Sequence, residues 1–197
     1  MHYATDSALK LEGTTARYTI ETQGSSLTVR AFATGLLASI GHNPTITAPD
    51  IEGEILFDTE DLTRSSLRLA IRAESLSCID KISDKDRAEI NRRMHEEVLE
   101  SDSYAEVVYE CSRASASKLG ESQYWAALNG DLTLHGVNRP QPVSARISVN
   151  GDTIRATGDC SILLSQYDIK PVSALGGAVR LKDELKLSFE VVARKQA

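Results

Sequence analysis

The chain has 197 residues, enough for one sizeable domain, and its 41% apolar and 25% charged residues are the balance of a globular protein. A formal net charge of −6 disfavours a phosphate-backbone partner, so no nucleic acid is expected. No apolar run is long enough for a membrane-spanning helix.

The first residues, MHYATDSALKLEGTTARYT, show no basic start followed by an apolar core and a small-residue cleavage site. No secretory signal is predicted, and a cytoplasmic location is expected. From there the dominant signal has period two. It begins weakly in ARYTI (Ala16 to Ile20), is plain in SLTVRAFA (Ser26 to Ala33), and returns in ITAPD (Ile46 to Asp50) and IEGEILFD (Ile51 to Asp58). Between them GLLASIGHNP (Gly35 to Pro44) reads as a short helical or irregular turn. SLRLAIRA (Ser66 to Ala73) is the cleanest strand: Leu67, Leu69, Ile71 and Ala73 share one face, Ser66, Arg68, Ala70 and Arg72 the other.

SDKDRAEINRRMHEEVLE (Ser83 to Glu100) breaks the pattern. Ile90, Met94 and Val98 recur every four residues among charges, which predicts an amphipathic helix of about four turns. Ser83 or Asp84 is the candidate N-cap, with Asp84 and Asp86 near the positive end of the dipole. Alternation then resumes in EVVYECSR (Glu106 to Arg113) and in a run from Tyr124 to His135. Asn129-Gly130 interrupts that run, and a bulge or close backbone approach inside one long strand is expected there.

LTLHGVNRP (Leu132 to Pro140) ends the run in a hairpin at His135-Gly136. VSARISV (Val143 to Val149), TIRATGDCSILL (Thr153 to Leu164) and ELKLSFEVVAR (Glu184 to Arg194) complete the set, with Asn150-Gly151 predicted to form a type I′ turn. Alternation means one wet face and one buried face, as antiparallel sheets arrange it. The fold class expected is all-β with one inserted helix: an antiparallel, lipocalin-like barrel of about eight strands, in which closure removes the aggregation-prone edges. Such a barrel is either filled by its own side chains or holds one slender ligand.

Catalytic signals are thin. HEEVL, from His95, has Leu99 where the second histidine of a zinc-protease HExxH must stand. GLLASIG lacks the spacing of a nucleophile elbow, and Gly176-Gly177 has no following lysine pattern and reads as a turn. His42, His135 and Asp183 sit at strand-to-loop edges that a barrel rim could bring together. The alternatives are turn-holding imidazoles, a contact to a ligand headgroup, or acid/base or metal chemistry. No enzyme and no metal are expected. Cys78, Cys111 and Cys160, odd in number and without CxxC spacing, fit free thiols in a reducing compartment.

These segments also carry a resemblance. GDLTLHGVNRPQPV (Gly130 to Val143) resembles the G-x-L-T-hydrophobic-x-G-V-T-R-P-V signature of the YceI-like family. IGHNPTI (Ile40 to Ile46) is similar to its G-H stretch, and IEGEILFD to its G-x-hydrophobic-x-F-D. DRAEINRRMHEEVLESDSYAEVVY (Asp86 to Tyr109) is similar to its helix block, and GGAVRLKDELKLSFEV (Gly176 to Val191) to its closing strand. The resemblance covers about residues 18–192; Ala105 stands where proline is usual before the fifth strand, and Asn138 where threonine is common.

The resemblance implies a soluble bacterial barrel that binds polyisoprenoid or lipid-like molecules, for carriage, storage or stress protection. Many members are exported, which makes the periplasm the alternative location. The bound isoprenoid or quinone lipid would be the partner, with no separate cofactor, and homodimerisation is compatible with the fold. Candidate lining residues are Val29, Ala31, Ile55, Phe57, Leu67, Leu69, Ile71, Val107, Tyr109, Leu185, Leu187 and Phe189. His42 and His135 are the candidate rim or headgroup contacts. The competing reading is a ligand-free stress or interaction module whose barrel is packed solid.

Overall fold

The computed structural model describes residues 15–34, 43–58, 61–170, 172–174 and 179–196. Its strands in chain order are β1 (Thr15–Ile20), β2 (Ser26–Arg30), β3 (Ala33–Thr34), β4 (Thr45–Ala48), β5 (Ile51–Asp58), β6 (Ser66–Arg72) and β7 (Ser77–Cys78), followed by helix α1 (Asp84–Arg93). Then come β8 (Glu106–Cys111), β9 (Ala114–Gly120), β10 (Gln123–Leu134), β11 (Val137–Asn150), β12 (Thr153–Leu163), β13 (Ser173–Ala174), β14 (Val179–Leu181) and β15 (Glu184–Lys195).

Eight of these close into an antiparallel barrel in the order β1-β5-β6-β8-β10-β11-β12-β15. The ring shuts where β15 returns to β1, with Ile20 opposite Ala193 and Tyr18 opposite Lys195. Earlier along its length β15 instead pairs with β2, which leads on to β4 and β7. A small sheet, β13-β14-β3, stands apart. Inward residues form the core, with Ile51, Ala126, Ala145 and Ile154 almost wholly shielded.

The helix is capped as its sequence demands: Ser83 Oγ accepts from Asp86 N at 3.1 Å and donates to the Asp86 carboxylate at 2.7 Å. It is shorter than expected. After Arg93 the backbone widens into one turn of i to i+5 bonding, Leu99 N to Met94 O at 2.8 Å. Ile90, Met94 and Val98 pack half-buried against the core.

Asn129-Gly130 does lie inside a single strand, β10, and Gly130 meets its neighbours closely: a Cβ there would fall 2.5 Å from the Glu110 carbonyl oxygen. Two turn assignments resolve differently from one another. Leu134 pairs with Val137, so His135-Gly136 is a two-residue loop with φ of +52° and +72°, as a type I′ turn requires. At the next hairpin Asn150 pairs with Thr153, so the loop is Gly151-Asp152, and positive φ falls on Gly151 alone. The expected type I′ turn at Asn150-Gly151 is therefore displaced by one residue and is not type I′.

Two strand segments carry no alternating signal. Ala114–Gly120 is small and polar yet pairs with β10. Val137–Pro142 extends β11 backward through two prolines, because β10 offers a continuous partner. Gly35 to Gly41, and Gly176-Gly177, lie outside the described residues.

Candidate functional site

The barrel is not packed from end to end. It holds a cavity of about 170 Å³ with a lining that is almost entirely carbon. β5 and β6 supply Ile51, Ile55, Phe57, Leu67, Leu69 and Ile71; β2 and β15 supply Leu27, Leu187, Phe189 and Val191. The opposite wall comes from β8 to β12, including Tyr109, Leu128, Leu132, Val143, Ile147, Ile154 and Ile162. Five alanines face the space: Ala114, Ala116, Ala126, Ala145 and Ala156. Larger side chains at inward positions of a small barrel would fill its axis, so the void exists because these are alanines.

Polar groups are few. Ser65, Ser66, Gln141 and the thiols of Cys111 and Cys160 reach the lining. The Tyr109 hydroxyl also lies inside and donates to the Gln141 carbonyl at 3.1 Å. Burial, first, and the neighbouring Cys111 second, push the Tyr109 phenol well above its ordinary pKa. Burial likewise raises both thiols. All three groups are neutral near pH 7, so the cavity presents no charge to a guest.

Two aromatic rings are seated over strand glycines. A Cβ on Gly130 would lie 2.6 Å from Tyr109 Cζ, and one on Gly158 would lie 2.6 Å from Phe189 Cζ. Phe57 sits between Tyr18 and Tyr124 in edge-to-face contacts, centroids 6.5 and 5.9 Å apart.

Of the candidate lining residues, Ile55, Phe57, Leu67, Leu69, Ile71, Tyr109, Leu187 and Phe189 border the cavity. Val29, Val107 and Leu185 have the matching parity but pack against the core cluster instead. Ala31 falls just beyond the end of β2, where its N–H donates to the Pro44 carbonyl at 3.1 Å. These four stand off the cavity for one reason: period two assigns a side chain to the inside, not to a level along the axis. The reading named no residue of the β9 to β12 wall. The signal lay in the inward alanines, which alternation with larger residues marks as places where space is left.

The wall is tied off at the end of β5. Asp58, fully shielded, accepts from Thr15 Oγ1 and from Asp61 N, both at 2.9 Å, and meets Arg64 at 2.6 Å. Its own N–H donates to Ser65 Oγ at 3.0 Å. This network fixes the Ser65 and Ser66 turn beside the cavity.

His42 lies outside the described residues. His135 is held by its turn and by three partners: its ring lies 4.4 Å from that of Tyr104, Nδ1 is 3.3 Å from the Tyr167 carbonyl, and Nε2 is 3.2 Å from the Glu100 carboxylate. The Nε2 contact is poorly aligned for a hydrogen bond and is an electrostatic approach only. His135 is not among the cavity-lining residues. Asp183 is occupied by Ser165, whose N–H and Oγ donate to it at 2.7 and 2.6 Å. Among the described residues, no group of three His, Cys, Asp or Glu side chains is set to hold a metal.

Comparison with known proteins places this architecture. A solved polyisoprenoid-binding domain from Saccharophagus degradans, described as implicated in plant cell wall breakdown, superposes with a TM-score of 0.67 at 14% identity, covering 91% of this chain and 98% of that one. BcnA from Burkholderia cenocepacia gives 0.65 at 16% identity, over 88% and 98% of the two chains. The YCEI protein of Campylobacter jejuni gives 0.57 at 16%, over 80% and 88%. At such identities the likeness establishes the fold. No curated protein matches the sequence. The model of the YceI-like domain matches residues 18–193, and on that match the chain belongs to the YceI-like domain family.

Proposed function

We propose that this protein is a non-catalytic binder of an amphiphilic isoprenoid or lipid-like molecule, whose apolar tail occupies the barrel cavity. The observation that carries the reading is the carbon-lined space inside the barrel itself. A cavity of about 150 Å³ in another protein stays dry and accepts benzene, so about 170 Å³ suffices for a few carbons without rearrangement.

The magnitudes set the length of tail. Each buried methylene contributes about 0.8 kcal/mol, so a ten-carbon geranyl group contributes roughly 8 kcal/mol gross. Association costs of about 4–15 kcal/mol offset much of that. Tight binding therefore calls for a longer tail, and a longer tail needs the Tyr109 and Phe189 rings to move along the axis. The likeness to a protein described as a polyisoprenoid-binding domain supports the same ligand class. In this reading His135 holds its turn rather than a headgroup.

Native mass spectrometry and lipid extraction of the purified protein test it. A co-purifying polyprenyl or quinone species is expected, and its loss in Ala126→Leu and Ala145→Leu, which fill the cavity from two strands. Retention of the lipid in both variants, or failure of any isoprenoid or acyl probe to bind the native protein, overturns the reading.

A further inference from the structure

Among the described residues, the β11–β12 seam is a place where two neighbouring barrel strands part with no other strand between them. Elsewhere β9 takes up β10 beyond its three pairs with β8, and β2 takes up β15 beyond its three pairs with β1. β12 and β15 pair over their full length, from Thr153 opposite Arg194 to Leu163 opposite Glu184, and β10 and β11 likewise from Gln123 to Leu134. β11 and β12 pair only from Asn150 opposite Thr153 to Arg146 opposite Thr157. Both strands continue well beyond that point, to Val137 and Leu163, without ladder partners for one another.

The ladder ends at Arg146, before Ser144, whose carbonyl lies against Gly158; the sequence explains why it does not resume beyond that point. A two-residue hairpin closes on a hydrogen-bonded pair, and bonded pairs then alternate along an antiparallel ladder. Leu134 opposite Val137 closes the first hairpin, so odd-numbered residues of β11 bond to β10 and even-numbered ones turn toward β12. Pro140 and Pro142 are even-numbered and have no N–H to give. Continued in register, Pro142 would face Ser161. The Ser161 carbonyl instead accepts from the side-chain amide of Gln141 at 3.3 Å. A flexible side chain thus stands in for a missing backbone donor, and Gln141 also lines the cavity.

Outside this seam lies a second hollow, of about 520 Å³, bordered by Trp125, Ser144, Arg146, Asp159, Ser188 and Phe189. Phe189 is the residue that it shares with the inner cavity. The ring is therefore the partition between an apolar interior and a polar exterior. Trp125 is 46% exposed, an unusual position for that side chain unless it meets something.

We infer that the β11–β12 seam is the ligand's side entrance: the tail passes Phe189 and the Gln141 latch into the barrel, and the head stays in the outer hollow. There Arg146 and Ser144 donate, Trp125 offers a ring face, and Asp159, bonded to Ser188 at 2.6 Å, balances the arginine. That pairing favours an uncharged head bearing acceptor oxygens, such as an ester, alcohol or quinone carbonyl. The inference rests on the interior-binding reading and adds the route and the seat of the head.

The test uses geranyl anthranilate, a fluorescent ester whose binding is followed by stopped flow. Ser144→Cys with Asp159→Cys, bridged by a short cleavable bis-thiol reagent, locks the seam; Gln123→Cys with Ser148→Cys, directly opposed in the β10–β11 ladder, is the bridged control. Because Ser144 and Asp159 belong to the proposed seat of the head, rates are compared within each double-cysteine protein. Bridging is expected to slow entry and exit at least tenfold across the seam, cleavage to return them to the unbridged level, and bridging of the control to change neither. Pro140→Ala with Pro142→Ala, which restores two donors, is expected to slow both rates several-fold without any cross-link. Unaltered rates in the locked and the double-alanine proteins overturn the side entrance while leaving interior binding intact. Failure of the native protein to take up the probe removes both.

Discussion

The ring of Tyr109 occupies the place that a side chain at position 130 would take. Gly130 belongs to β10 and Tyr109 to β8, and a Cβ at 130 would meet Cζ and Oη of the ring at 2.6 Å and the Glu110 carbonyl oxygen at 2.5 Å. Glycine lets the two strands bend tightly, and the tyrosine covers the backbone thereby exposed. Gly130→Ala is expected to destabilise the protein by about 1–3 kcal/mol, the usual cost of overpacking, because one clashing atom is backbone and cannot rotate away. Urea unfolding measures it, and a midpoint equal to that of the native chain would show the strands to be freely adjustable here.

Asp58 supplies a second prediction. Its carboxylate is fully shielded and takes bonds from Thr15, Asp61 and Arg64. Asp58→Asn keeps the shape but removes the charge that these donors face, at an expected cost of about 1–3 kcal/mol. Asp58→Ala should cost more, since it also leaves the Thr15 hydroxyl and the Asp61 N–H without this acceptor. Because Ser65 and Ser66 line the cavity, geranyl anthranilate affinity should weaken in the same order. A stable Asp58→Ala protein with native affinity would contradict the assignment.

The pH dependence follows from the buried neutral acids. Burial raises Cys111, Cys160 and Tyr109 above their ordinary values. Between the unfolded and the folded pKa, the folded state then holds more protons than the unfolded chain, so stability falls as pH rises. The contribution is fully present below about pH 8.5, the ordinary thiol value, and is lost progressively above it. Urea midpoints should be flat from pH 6 to 8 and decline toward pH 11, with a shallower decline in Cys111→Ala/Cys160→Ala. A midpoint that climbs with pH in this range would reverse the sign and defeat the argument.

His135 gives the fourth. It adopts φ of +52° while its ring stacks against Tyr104. Alanine carries the left-handed cost of about 1–2 kcal/mol and loses the packing, whereas asparagine tolerates the backbone. His135→Ala should therefore be less stable than His135→Asn, and both should take up geranyl anthranilate with native affinity. Impaired uptake in a folded His135→Asn protein would restore the histidine to a ligand-contacting role.

The sequence by itself determined which faces of which strands turn inward, because a pleated strand sends alternate side chains to opposite sides, and SLRLAIRA or TIRATGDCSILL leaves no ambiguity about parity. It also marked the helix, its Ser83 cap and the buried approach at Gly130. Tertiary structure alone decided the rest. Height along the barrel axis separates Leu187, which borders the cavity, from Leu185, which does not. Pairing with β10 recruited Ala114–Gly120 and the proline-bearing start of β11 into strands that period two could not reveal. His135 met Tyr104, Glu100 and Tyr167 only because distant segments converge. Local alternation encodes direction, and it carries no record of register between strands, which is what sets where a wall has room and where it parts.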